Sequence, residues 1–169
     1  MDGTLVMALA AVLLILAAGL FAALDSALST VSVARVDEMA KDNRYGARRL
    51  VRMLETRARY INVAVLLHSL SLVAAAVLFS EVFTDVVGST TWALIGAVVV
   101  TTIGAYVLAG VGPRTLGRQH AYSISLGTST PVRVLGTVIG PVATLLVGVG
   151  NAVTPGGGFR NGPFASEIE

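Results

Sequence analysis

The stretch Leu5–Leu24, LVMALAAVLLILAAGLFAAL, contains twenty residues and not one charged side chain. As an α-helix rising about 1.5 Å per residue it extends about 30 Å, the thickness of a bilayer's hydrocarbon core. It predicts a first spanning helix, which runs on through a more polar end to about residue 31. A cleaved secretory signal is the competing reading. Met1-Asp2-Gly3-Thr4 offers no positive charge ahead of the run, and the run exceeds the usual length of a signal's apolar region, so a retained span is preferred. The whole chain agrees with this choice. Of its 169 residues 54% are hydrophobic and 13% charged, against about 25% charged in ordinary soluble domains, so most of the surface must face lipid. The length suits a single domain. With no cysteine in the sequence, a disulfide framework, a thiolate zinc site and a catalytic thiol are all excluded.

Outward from this first helix, two further apolar segments, about 61–80 and 91–112, are long enough to span. The twelve basic residues orient them: eight lie between Arg35 and Arg59, and the others are Arg114, Arg118, Arg133 and Arg160. The N-terminal tail and the loop from Glu81 to Thr90 carry only acids. By the positive-inside rule the N-terminus is outside, the 33–59 segment inside and the C-terminus inside, which three crossings satisfy. The expected fold class is therefore all-α integral membrane, with three transmembrane helices and juxtamembrane cytosolic helices at about 33–59 and 115–153. Within 33–59, the spacing of Val36, Met39, Ala40, Ala47, Leu50, Val51 and Leu54 fits two short amphipathic helices joined by a turn at Asn43–Gly46. The basic faces of this hairpin suit either water or anionic inner-leaflet lipid, and a solvated face is the simpler reading. A fourth apolar run, Val134–Val153, also satisfies length, but it carries Gly136, Gly140, Pro141, Gly148 and Gly150. Crossing there would place Arg160 outside. A helix in the inner interface or packed beneath the bundle is preferred to a fourth span.

Polar groups inside spans are costly and tend to face a bundle interior. On the first helix Ala22, Asp25, Ser29 and Ser32 recur at helical spacing, with Ser26 beside them, and this face is expected to point inward. On the second, Asn62 and Ser69 form one polar edge and His68 with Ser71 an adjoining one. The third offers Thr101, Thr102 and Tyr106 ahead of Ala109-Gly110-Val111-Gly112-Pro113-Arg114, where glycines and proline are expected to break the helix and free backbone carbonyls for cations. Two readings stay open for these groups: hydrogen bonding between helices, which is common in membrane bundles, and an ion pathway. In the second, Asp25, Ser26, Ser29, Asn62, His68 and Ser69 are the candidate metal-site residues.

The order of features now resembles a known family. Leu24-Asp25-Ser26-Ala27-Leu28-Ser29 closes the first span, Val33-Ala34-Arg35-Val36 and Ala47-Arg48-Arg49-Leu50 follow, and Pro113-Arg114-Thr115-Leu116 ends the third span. Together they are similar to the transmembrane domain of the CorC/cyclin M (CNNM) family, over residues 1–155. The resemblance implies a homodimeric cell-membrane domain, multi-pass in the inner or plasma membrane, associated with magnesium transport, with sodium as a coupling ion. It also implies a cytosolic pair of CBS domains beyond residues 156–169, which are expected to be the linker toward them. The family's ion ligands are a serine, an asparagine and a glutamate, which fall here on Ala22, His68 and Gly110, with a following acid on Asp25. Magnesium prefers about six hard oxygen ligands. Imidazole suits a softer divalent metal or a proton, so the site is expected to be degenerate. A non-transporting dimeric scaffold is the alternative function. Faces of small residues (Ala8, Ala11, Ala18, Ala22; Ala74, Ala75; Gly96, Gly104) supply material for a homodimer. No enzyme and no nucleic-acid partner are expected: Gly156-Gly157-Gly158 lacks the lysine of a phosphate loop, and the formal net charge is only +2.

Overall fold

The computed structural model describes residues 2–153, which form helices and no strand. They run as α1 (Asp2–Thr30), α2 (Val33–Lys41), α3 (Ala47–Leu54), α4 (Arg57–Val87), α5 (Thr90–Gly104), a π-helical segment (Ala105–Val111), α6 (Gly112–Gln119) and α7 (Ala121–Val153). The expected linker at 156–169 lies outside the described residues.

Four helical stretches are long and apolar enough to cross a membrane: Gly3–Thr30, Arg57–Val87, the continuous run Thr90–Gln119, and Ala121–Gly150. This is one more than the sequence expectation. The difference lies in α7, which the sequence assigns to a helix at the inner interface. It is one helix of 33 residues with Pro131 and Pro141 inside it, long and apolar enough to cross. Most of the apolar surface is left uncovered, as at Leu20 (72% exposed) and Val98 (62%), which is what lipid, and not water, can tolerate.

The chain gathers into two compact units. Residues 2–23 and 67–116 make the first, and 24–66 with 117–153 make the second. In the first, Ala11 and Ile15 of α1, Ala75 and Phe79 of α4 and Ala97 of α5 form a core built largely on small residues. In the second, Leu24, Ala27, Leu28 and Val31 of α1 pack with Val36 of α2, Leu50, Met53 and Leu54 of α3, Ile61 and Ala64 of α4, and Ala121 and Val132 of α7.

The two short helices occur where expected, and the turn between them is specified residue by residue. Asn43, at φ 54°, ends α2: its N–H donates to Ala40 O, and that of Arg44 to Met39 O. Together these make the paired C-terminal closure of a left-handed cap. Gly46 then opens α3 at φ 79°. A Cβ there would lie 2.9 Å from the Leu126 carbonyl oxygen, so the position requires glycine twice over, for its φ and for the close approach of α7.

Candidate functional site

The first unit contains a junction of three helical stretches around one turn of α1. The Nδ1 of His68, on α4, lies 2.9 Å from the Ala18 carbonyl oxygen. A carbonyl can only accept, so Nδ1 carries the proton, and in the neutral ring Nε2 keeps its lone pair for another partner. One residue further along α1, Gly19 faces the π-helical segment so closely that a Cβ there would collide with the Leu108 carbonyl oxygen and lie 3.2 Å from Pro113 Cγ. Pro113 has no N–H to give to the carbonyl five residues earlier, that of Leu108. Close approach of the Gly19 backbone covers that oxygen. The glycine-rich end of the third apolar segment is therefore rewound and not broken. The expectation of an interrupted helix is corrected to a π-helical insertion in a continuous one, a local rewinding that often marks functional sites.

Ala22, His68 and Gly110, where the resemblance puts ion ligands, all belong to this unit. Ala22 is buried at 1% exposure, and His68 and Gly110 are half-buried. Two side chains add polarity. Ser71 is buried, and the buried Thr101 Oγ1 has no hydrogen-bond partner. Thr102 and Tyr106, grouped with Thr101 by sequence, are exposed.

In the second unit, Asp25 and Ser26 on α1 and Asn62 on α4 are half-buried, whereas Ser29 and Ser32 are exposed. The inward face of this end of α1 is the stripe Leu24, Ala27, Leu28 and Val31, so the expectation that Ala22, Asp25, Ser29 and Ser32 all point inward is corrected. Asp25 flanks that stripe, and Ser29 and Ser32 lie off it. Ser69, on α4 in the first unit, is likewise exposed, so it does not continue a buried edge from Asn62. Among the described residues, no group of three or more His, Asp and Glu side chains is placed to hold a metal. Oxygen donors for a hard cation would have to come mainly from hydroxyls, the Asn62 amide and backbone carbonyls.

Sequence reasoning missed Arg57. Its guanidinium donates to the Val31 carbonyl oxygen at 2.6 Å, just past the end of α1, where a cation complements the helix dipole. Arg59 Nε donates to Gly136 O at 3.1 Å. Along α7, Leu126 faces Gly46, Gly136 lies against the Tyr60 ring, and Gly140 lies against the Arg59 guanidinium. Thr130 Oγ1 accepts from Arg49. Gly136 and Gly140, which count against a crossing in the sequence, are the places where large side chains of α4 seat.

Long uncovered apolar helices, a basic hairpin between the first two of them, and a π-helical insertion facing a glycine define a multi-pass helical membrane domain. Residues 9–169 match the family described as the Cyclin M transmembrane N-terminal domain. The chain belongs to that family. It is 50% identical over 161 residues to a UPF0053 protein of Mycobacterium bovis and, to the same extent, to a UPF0053 protein of Mycobacterium tuberculosis. The match covers 95% of this chain and 37% of each relative, so the chain spans little more than a third of the curated relatives' length.

Proposed function

We propose that this domain moves a divalent cation, magnesium first among candidates, across the inner or plasma membrane, with sodium as the coupling ion, and that it works as a homodimer. The observation that carries the reading is the α1 turn from Ala18 to Ala22. It meets His68 on one side and Leu108 of the π-helical segment on the other, and these are the neighbourhoods in which the family resemblance places ion ligands. Asp25, Ser26, Ser29 and Asn62 of the second unit, with His68 and Ser69 of the first, are the pathway residues to test, one by one. The cytosolic CBS domains expected of the family belong to the same proposal as partners.

Three crossings, with the N-terminus outside and the α2–α3 hairpin inside, remain our preferred topology. Support comes from α7. From Leu126 to Gly140, roughly 20 Å at 1.5 Å per residue, it is held against the hairpin and the first turn of α4, as suits a helix at the inner interface.

The deciding measurement is magnesium flux into liposomes carrying the reconstituted protein, read with an entrapped dye. Asp25→Asn keeps size and removes the charge a divalent ion needs. We expect at least a tenfold loss of flux at unchanged expression and dimer content. Wild-type flux in that variant removes Asp25 from the pathway. The scaffold reading is favoured by a separate observation, that Ala22 and Gly110 supply no side-chain oxygen. It predicts no flux in either protein. Restoring both ligands with Ala22→Ser and Gly110→Glu should then create or strengthen magnesium-dependent thermal stabilisation. Failure in a well-folded double variant would sink the position-by-position correspondence.

A further inference from the structure

The α2–α3 turn forms a surface cleft of about 320 Å³. Its lining includes Arg44, Arg48, Arg49 and Arg52 and no acid. Arg48 and Arg52, four residues apart on α3, are exposed, while Ala47, Leu50 and Leu54 on the other side of α3 are buried, so this pair forms a fixed edge of a packed helix. Arg44, also exposed, joins them from the turn that precedes α3. The turn itself is held. Arg48 donates to Asn43 Oδ1 at 2.7 Å, Arg49 is bonded to Thr130 of α7, and the left-handed Asn43 and Gly46 set the course of the chain. Each guanidinium has five N–H donors in a planar fork, so even Arg48 retains donors toward the cleft. Tyr45, between these arginines, is 83% exposed. Of the acids that flank the turn, Asp37 is paired with Lys41 at 2.9 Å, and Glu38, Asp42 and Glu55 are outside the cleft lining.

Position decides what fills the cleft. α2 begins three residues after α1 ends, and α3 ends three residues before α4 begins. Both α1 and α4 have membrane-spanning length, so the hairpin is tethered at both ends to the ends of apolar helices, at the level of lipid headgroups. An exposed tyrosine at that level is an interfacial anchor. Arginine forks match phosphate oxygens bidentately.

We propose that this cleft binds the phosphate headgroup of an anionic phospholipid, with Arg44, Arg48 and Arg52 as the phosphate ligands and Tyr45 seated among the headgroups. The site works independently of any ion flux.

The test uses the purified protein in neutral detergent, with phosphatidylglycerol, phosphatidylcholine and inorganic phosphate as probes, read by native mass spectrometry and by the shift in unfolding temperature. Phosphatidylglycerol is expected to be retained and to stabilise in preference to phosphatidylcholine, and millimolar inorganic phosphate is expected not to displace it. Each arginine near an anionic surface is worth roughly fivefold, so Arg44→Gln with Arg52→Gln should cost about twentyfold in that preference. This double variant leaves the Arg48–Asn43 and Arg49–Thr130 bonds in place. Arg114→Gln with Arg118→Gln removes the same charge elsewhere and should keep the preference. Should the first double variant misfold, Arg44→Lys with Arg52→Lys keeps the charge and should retain part of the preference. Equal losses in the two glutamine pairs, no preference in the wild type, or full displacement by inorganic phosphate would each overturn the proposal. So would displacement by an acidic peptide, which would make the cleft a protein-docking site.

Discussion

Single residues in this protein are constrained most where a helix needs a close neighbour. Gly46 combines a left-handed φ with a carbonyl 2.9 Å from where its Cβ would stand. Gly46→Ala therefore adds about 1–2 kcal/mol of backbone strain to a contact that must move Leu126 of α7. A loss of about 2 kcal/mol is expected in a thermal or denaturant unfolding series. Lys41→Ala is the contrast. The Asp37 carboxylate raises the Lys41 ammonium above its ordinary value, but the pair is at the surface, where such bridges are worth little. The difference in unfolding midpoint between the wild type and Lys41→Ala should not change between pH 6 and 9, where Lys41 stays charged whether folded or unfolded; only above about pH 10.4, the ordinary lysine value, would the pair weaken. A Lys41→Ala variant as damaged as Gly46→Ala would show that the hairpin depends on its surface charges and not on its turn geometry.

At the scale of elements, α7 shows why glycine means different things along one helix. A Cβ at Gly136 would collide with the Tyr60 ring, while at Gly148 it would meet nothing within 4 Å. Gly136→Ala should cost about 1–3 kcal/mol through overpacking and loosen α7 from the start of α4. Gly148→Ala should be neutral or mildly stabilising, since alanine is the better helix former. Equal effects in the two unfolding curves would refute the seating of Tyr60. This element also marks where reading the sequence stopped. The long apolar runs were legible because length and missing charge are enough to call for lipid, and the hairpin turn was legible from Asn43 and Gly46. The span length of α7 was not, because its glycines and Pro141 count against a crossing by composition, whereas neighbouring helices accommodate them here. The π-helical segment was hidden because Gly110, Gly112 and Pro113 signal a break at the end of the third segment. Spacing put Asp25 and Ser29 within one turn of α1, but in helices apolar all round it cannot tell which side a neighbour covers, so Ser29 and Ser32 were placed inward wrongly. Gly19 and Arg57, which make the close contacts, carried no motif.

For the molecule as a whole, charge and hydropathy have to agree on a topology, and α7 is where they diverge. Its length and composition allow a crossing. Its contacts from Leu126 to Gly140 bind it to the α2–α3 hairpin and to the first turn of α4, so 15 of its 33 residues are held against the segment from Arg35 to Arg59, which carries eight of the twelve basic residues; this is the support for three crossings. The absence of cysteine makes this decidable with single-cysteine variants in right-side-out and inverted vesicles and an impermeant maleimide. Asp85→Cys should label only from outside, Arg44→Cys and Arg118→Cys only from inside. Gly148→Cys, in open space near the far end of α7, is the discriminating position. Labelling from the same side as Arg118→Cys supports three crossings with α7 along the inner surface. Labelling of Gly148→Cys with Asp85→Cys from outside would establish a fourth crossing and require the contacts of Gly136 and Gly140 to lie within the bilayer, where the guanidinium of Arg59 would need its bond to the Gly136 carbonyl to survive.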